Sequence, residues 1–218
     1  TPDVPVRSNN AYDGEESDAR TELGNWTLTG YDDKGWTPAQ RVSIPSGTLR
    51  AQMIPGMKVT ETLKPLSIKK LGDKYIMDTG QNRARWARFR IKGQAGDSIR
   101  LHFAERLESN GEIFTKNLRD AHCTDIYVVS GHEPQGATWA PSFVYHGFRY
   151  VEISGYHDAK VEDFTVEVVE DEMDHVGSFS CSDETLNQII RNAFWGIRSN
   201  YKGMPVDCPQ RNERQPWL

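Results

Sequence analysis

The spacing of apolar residues changes twice along the 218-residue chain, and each change predicts a different kind of element. From about residue 57 to 172 the period is two. In Trp86–Ile91, Ala87, Phe89 and Ile91 fall on one face and Arg88 and Arg90 on the other. After the turn residues Gly93–Asp97, Ile99, Leu101 and Phe103 alternate with Ser98, Arg100 and His102. This pattern predicts a hairpin with one wet face. Thr124–Val129, Ala137–Tyr145, Phe148–Ser154 and Val161–Val169 continue the series between Gly-, Pro- and Asp-rich turns, and His146 reads as a turn residue before a strand. Several short strands at this spacing predict an antiparallel β-sandwich.

After Phe179 the period becomes helical: Leu186, Ile189, Ile190, Phe194, Ile197 and Tyr201 share one face. Ser182 is the expected N-cap, with Asp183 and Glu184 in the first turn, and Gly203 ends a helix of about 183 to 202. The sandwich is the only partner in this chain for its apolar stripe, a situation that fits the first helix of an all-α barrel.

Before residue 57 the chain is polar and broken by the turn signals Asp13-Gly14, Gly30, Asp32–Trp36, Pro45–Gly47 and Pro55-Gly56. The acidic cluster Asp13, Glu15, Glu16 and Asp18 lacks calcium-loop spacing and reads as a solvated turn. Three segments follow: 1–56, 57–175 and 176–218.

Composition narrows the classes. A net charge of −5 argues against nucleic acid as a partner. The chain starts at Thr1 with no leader pattern and contains no apolar run near 18 residues, so no membrane partner is expected. Cys123, Cys181 and Cys208 form no C-x-x-C pair, so neither a disulfide framework nor a metal site is supported, and no cofactor is expected. Cys208 has no adjacent histidine to activate it and reads as packing.

The densest chemistry lies in Asp207-Cys208-Pro209-Gln210-Arg211-Asn212-Glu213-Arg214-Gln215-Pro216-Trp217-Leu218, which crowds carboxylates, guanidiniums, an amide and an indole into twelve residues. Glycoside cleavage uses such groups: carboxylates as acid, base or hydroxyl ligand, arginines to tune them, and an aromatic face for a sugar ring. A second carboxylate pair, Glu105 and Glu108, shares no strand face and is not read as catalytic. The long turn-rich stretch from Glu108 to Asp120 has the length of a functional loop. Its Asn117 and Arg119 are expected to face a neighbouring barrel, as domain glue or as part of a sugar cleft.

The terminal run resembles the D-C-P-Q-R-D-E-R-x-x-W segment of the bacterial α-L-rhamnosidases (glycoside hydrolase family 78). Asp78–Asn82, Phe103–Leu107, Asn117–Arg119 and Tyr145–Val151 resemble, in order, the D-F-G-Q-N, F-A-E, E-N-L-R and Y-H-G-F-R-Y motifs of that family's concanavalin-like domain. Tyr12–Glu15 with Asp18–Arg20, and Tyr31–Trp36, resemble stretches of its galactose-binding-like amino-terminal domain. The resemblance thus spans nearly the whole chain. It departs at Ser17, at Asn212, where the family more often has aspartate, and at Gln215-Pro216 in place of a leucine-glycine pair.

The resemblance implies a mainly β fold: the end of a jelly roll over 1–56, a concanavalin-like sandwich over 57–175, and the start of an (α/α)6 catalytic barrel over 176–218. It implies an inverting hydrolase that releases terminal α-L-rhamnose, with Glu213 as general acid, Asp207 and Arg211 holding the sugar and Trp217 walling its pocket. Burial against Trp217 and the charge of Asp207 would favour the protonated Glu213, opposed by Arg211 and Arg214. The general base would lie beyond residue 218, so the chain alone should not turn over. The implied partners are a rhamnose-containing glycoside and the rest of the barrel, and a periplasmic or secreted location is favoured over a cytoplasmic one. The alternatives are a carbohydrate-binding sandwich that stacks sugars on exposed Trp86 and Trp139, and a scaffold without a sugar site.

Overall fold

A computed structural model describes residues 4–215. The strands are β1 (Val6–Asn10), β2 (Gly14–Asp18), β3 (Met57–Leu63), β4 (Ser67–Leu71), β5 (Lys74–Arg90), β6 (Ser98–Ala104), β7 (Thr124–Val128), β8 (Thr138–Trp139), β9 (His146–Ser154) and β10 (Phe164–Asp171). They form one continuous sheet in the order β1-β2-β7-β6-β9-β5-β10-β3, with β4 and β8 also paired to β5. All pairs are antiparallel except β2 with β7. In a flat sheet β5 and β7 would lie about 14 Å apart, three strand spacings. The rings of Phe89 on β5 and Tyr127 on β7 instead stand 6.1 Å apart, so the sheet curls into a half-barrel around its own core.

The alternating residues fill that core as their period demands. Ala87, Phe89, Ile99, Leu101 and Phe103 are all buried, joined by Tyr127, Phe148, Val151, Ile153, Phe164 and Val166. Phe89 meets Tyr156 at 6.2 Å and its cross-strand neighbour Phe164 at 6.3 Å.

Several expectations are corrected. β5 and β6 do not form a hairpin, because β9 lies between them and pairs with both. Of the strand expected over 137–145, only Thr138–Trp139 is extended. Pro141 has no N–H to give a ladder, and the amides of Ser142 and Phe143 bond the Glu15 carboxylate instead. His146 is no turn residue: it opens β9, fully buried, stacks on Phe103 at 4.3 Å and bonds Asp125 through Nε2 at 2.9 Å. The acidic cluster is not a solvated turn either, since Gly14–Asp18 is β2 with Glu15 and Asp18 buried. Burial pushes the Glu15 carboxyl above its ordinary range, whereas the hydrogen bond from Arg20 holds Asp18 down to about 2. Residues 6–18 extend the large sheet, and 22–56 carry no strand.

The helix, α1 (Glu184–Asn200), forms as its period predicts but is capped one residue later than expected. The Asp183 carboxylate accepts from the amides of Thr185 and Leu186 at 2.8 and 3.3 Å. It ends before Tyr201, where β11 (Tyr201–Lys202) folds back on β12 (Met204–Pro205) around Gly203, whose φ is 79°. The helix docks on the sheet through charge and an indole. Arg83 and Arg198 both lie over Trp195, at 3.4 and 4.0 Å from its ring centroid, and both pair with Glu61 at 3.1 Å. Its stripe of Leu186, Ile189, Ile190, Phe194 and Ile197 stays exposed. No helix among the described residues is long and apolar enough to cross a membrane.

Candidate active site

The terminal segment is held against the curled sheet by its own backbone. The amide of Gly147 on β9 donates to the Pro209 carbonyl at 3.0 Å, and the approach is so close that a side chain at 147 would collide with Pro209. The Cys123 thiol donates to the Gln210 carbonyl at 2.8 Å, and burial pushes that thiol up to about 11, so it keeps the proton it donates. Arg214 is buried, turns inward and donates to the Tyr145 carbonyl at 2.6 Å. Cys208 is buried too, its thiol donating to the Glu213 carbonyl at 3.8 Å, which agrees with a packing role.

This anchoring projects Asp207, Arg211 and Glu213 on the other side of the segment. Arg211 bridges the two carboxylates: Nη2 stands 3.3 Å from Asp207 Oδ2 and 2.7 Å from Glu213 Oε2. Hydrogen bonds to Cys208 and Asp207 raise Arg211 above its ordinary range. Asp207, Cys208 and Glu213 bring possible metal-ligand atoms within 4.8 Å of one another, but the cation joining the carboxylates here is the Arg211 guanidinium. Glu213 Oε1 pairs with Arg119, which reaches across from the loop of the sheet domain. Asn212 donates to Asp120 of the same loop at 3.2 Å.

Three of the four expected site residues, Glu213, Asp207 and Arg211, therefore converge. Trp217 lies outside the described residues. The two guanidiniums expected beside Glu213 were Arg211 and Arg214; Arg211 is there, but Arg119 stands in the place of Arg214, whose side chain is taken by the sheet. Glu213 is flanked on both oxygens by charge. Arg119 and Asn117 were marked by their loop, whereas nothing in the sequence pointed to Cys123 or Gly147 as supports.

Beside Asp207, between β5, α1 and the terminal segment, lies a cavity of about 430 Å³ lined by groups that include Asn82, Glu105, Asn192, Trp195 and Gln210. Glu105 accepts from Asn82 and Asn117 at 2.7 and 2.6 Å, so it is a structural acceptor within that wall. The two tryptophans of the binding-module reading form no exposed platform. Trp139 packs 5.7 Å from Phe89 and 5.3 Å from Tyr127, and Trp86 is half-buried with its indole N–H given to the Val144 carbonyl.

Comparison with known proteins identifies the family. Residues 1–61 match the alpha-L-rhamnosidase N-terminal domain, 68–170 the bacterial alpha-L-rhamnosidase concanavalin-like domain, and 174–218 the bacterial alpha-L-rhamnosidase 6 hairpin glycosidase domain. An alpha-L-rhamnosidase of Formosa agariphila is 36% identical over 217 residues, covering 98% of this chain and 23% of its own length. The solved alpha-L-rhamnosidase of Dictyoglumus thermophilum superposes with a TM-score of 0.94 at 36% identity, over 98% of this chain and 24% of that one. That of Streptomyces avermitilis, solved in complex with L-rhamnose, gives a TM-score of 0.90 at 33% identity, over 98% and 21%. The chain thus spans about a quarter of the length of these relatives. With three consecutive domains matched in order along it, the chain belongs to the bacterial α-L-rhamnosidase family of glycoside hydrolases.

Proposed function

We propose that the chain is a portion of a longer enzyme that releases terminal α-L-rhamnose from glycosides with inversion. Glu213 gives its proton to the leaving oxygen, while Asp207 and Arg211 hold sugar hydroxyls and Trp217 walls the pocket. The observation that carries this reading is the convergence of Glu213, Asp207 and Arg211 on one outward face of a segment pinned to the sheet. An inverting site also needs a second carboxylate on the far side of the sugar, roughly 6.5–9.5 Å from the first, to activate water. On this reading that base belongs to the barrel beyond residue 218, and residues 1–218 alone do not turn over. The exposed stripe of α1 is then covered by the other helices of the same barrel.

The test is a pair of substitutions in the complete enzyme. Glu213→Gln keeps shape and hydrogen bonding but has no proton to give, so kcat on a rhamnosyl disaccharide should fall by about 10²–10⁴. The loss should shrink on a nitrophenyl rhamnoside, whose leaving group needs little protonation, while Asp207→Asn should cost similarly on both. Full activity of Glu213→Gln on the disaccharide would defeat the assignment.

A further inference from the structure

The described residues include three non-glycine residues at positive φ, Arg119 at 58°, Cys123 at 43° and Asp158 at 49°. Two of them sit four residues apart in one loop, and both reach the segment that carries Glu213. Arg119, with ψ at −121°, lies outside even the left-handed helical region that side chains tolerate. Such a conformation persists only when its surroundings impose it, and it marks places where a side chain is held for a purpose. Around Arg119 the loop is fixed on both sides. Leu118 is buried in the core, Asn117 is tied to Glu105, and Asp120 accepts from Asn212 of the terminal segment. Between these anchors Arg119 pairs with Glu213 Oε1, while Arg211 takes Oε2.

Resting on the reading of Glu213 as proton donor, we infer that Arg119 is a positioning residue for that acid, supplied by the sheet domain. Arg119 fixes the carboxyl rotamer and pairs with the carboxylate that forms. When the glycosidic bond breaks, the proton passes from Glu213 to the leaving oxygen, and the new negative charge on Glu213 lies against the Arg119 guanidinium. Strained backbone is tolerated at 119 because a glycine there would relax the loop but could not reach Glu213.

That last point makes Arg119→Gly the decisive variant in the complete enzyme, since it removes the guanidinium and relieves the backbone together. The melting temperature should hold or rise. On a rhamnosyl disaccharide kcat should fall by about 10- to 100-fold with KM within about 3-fold, and the loss should be smaller on a nitrophenyl rhamnoside. Arg119→Lys should recover part of it. In a Glu213→Gln background Arg119→Gly should change kcat by less than about 2-fold, because a residue acting through Glu213 has nothing left to act on. An unchanged kcat in the single variant, an equal loss on both substrates, or an undiminished loss in the Glu213→Gln background would overturn the inference. A wild-type enzyme inactive on both rhamnosides would overturn the reading of function as well, so the two failures are distinct.

Discussion

Gly147 and Pro209 lie so close that a Cβ on Gly147 would stand 2.6 Å from Pro209 Cγ, at the point where the Gly147 amide bonds the Pro209 carbonyl. The glycine of the Y-H-G-F-R-Y motif is therefore explained by contact with another domain's segment rather than by its own strand.

Gly147→Ala should lift the segment off the sheet, at a cost of about 1–3 kcal/mol for the forced repacking. Urea unfolding of the chain would show a lower midpoint, and the complete enzyme should lose kcat more than KM as Glu213 is displaced. An unchanged midpoint together with unchanged activity would show that the segment slides aside without penalty.

Arg85 offers a prediction of opposite sign. It is fully buried on β5 and donates from Nη2 to the Gln81 carbonyl at 2.6 Å, while Nε and Nη1 have no partner. Burial pulls this guanidinium below its ordinary range. Glu61 acts on this buried cation only at a distance while Arg83 repels it, which makes it a net cost, so Arg85→Met should leave stability unchanged or raise it by up to about 2 kcal/mol. A fall in melting temperature would mean that the guanidinium has support the structure does not reveal.

Asp18 should give the chain part of its acid sensitivity. Its carboxyl is held at about 2, against an ordinary 3.8, first by the hydrogen bond from Arg20. A lowered value means that the contribution is present above the ordinary range and is lost as pH falls from about 4 toward 2. Arg20 is half exposed and solvent screens it, so Asp18→Asn should cost on the order of 1 kcal/mol at pH 7 and lose most of that cost by pH 2. Glu15, raised by burial, works in the reverse sense, so the readout is the difference between variant and wild type at each pH. A difference that stays constant from pH 7 to 2 would rule out the ion pair as its cause.

The residues themselves disclosed the local periods. Ala87, Phe89, Ile99, Leu101 and Phe103 are core because their spacing allows nothing else, and the stripe of α1 is where its heptad-like spacing puts it. Pairing was not legible. β9 enters between β5 and β6 although about forty residues separate it from β6 and about fifty-five from β5, and alternation carries no record of which strand lies beside which. The buried acids were missed for the same reason. Glu15 owes its burial to Asp125, Ser142 and Phe143, all more than a hundred residues away. At the site, the terminal chemistry was readable because it is contiguous. Its supports at Cys123 and Gly147 were not, since a thiol and a glycine look the same in sequence whether or not another segment leans on them.

The curled sheet also bears on how such an enzyme comes to be made. The strands that cradle residues 207–214 leave the ribosome before those residues do, and domains generally fold as units in that order. A finished jig thus awaits the first stretch of the barrel, which can be set in place by Gly147, Cys123 and Arg119 while the later helices are still unmade. Exchanging the sandwich for that of a distant relative would then disturb assembly of the catalytic domain itself.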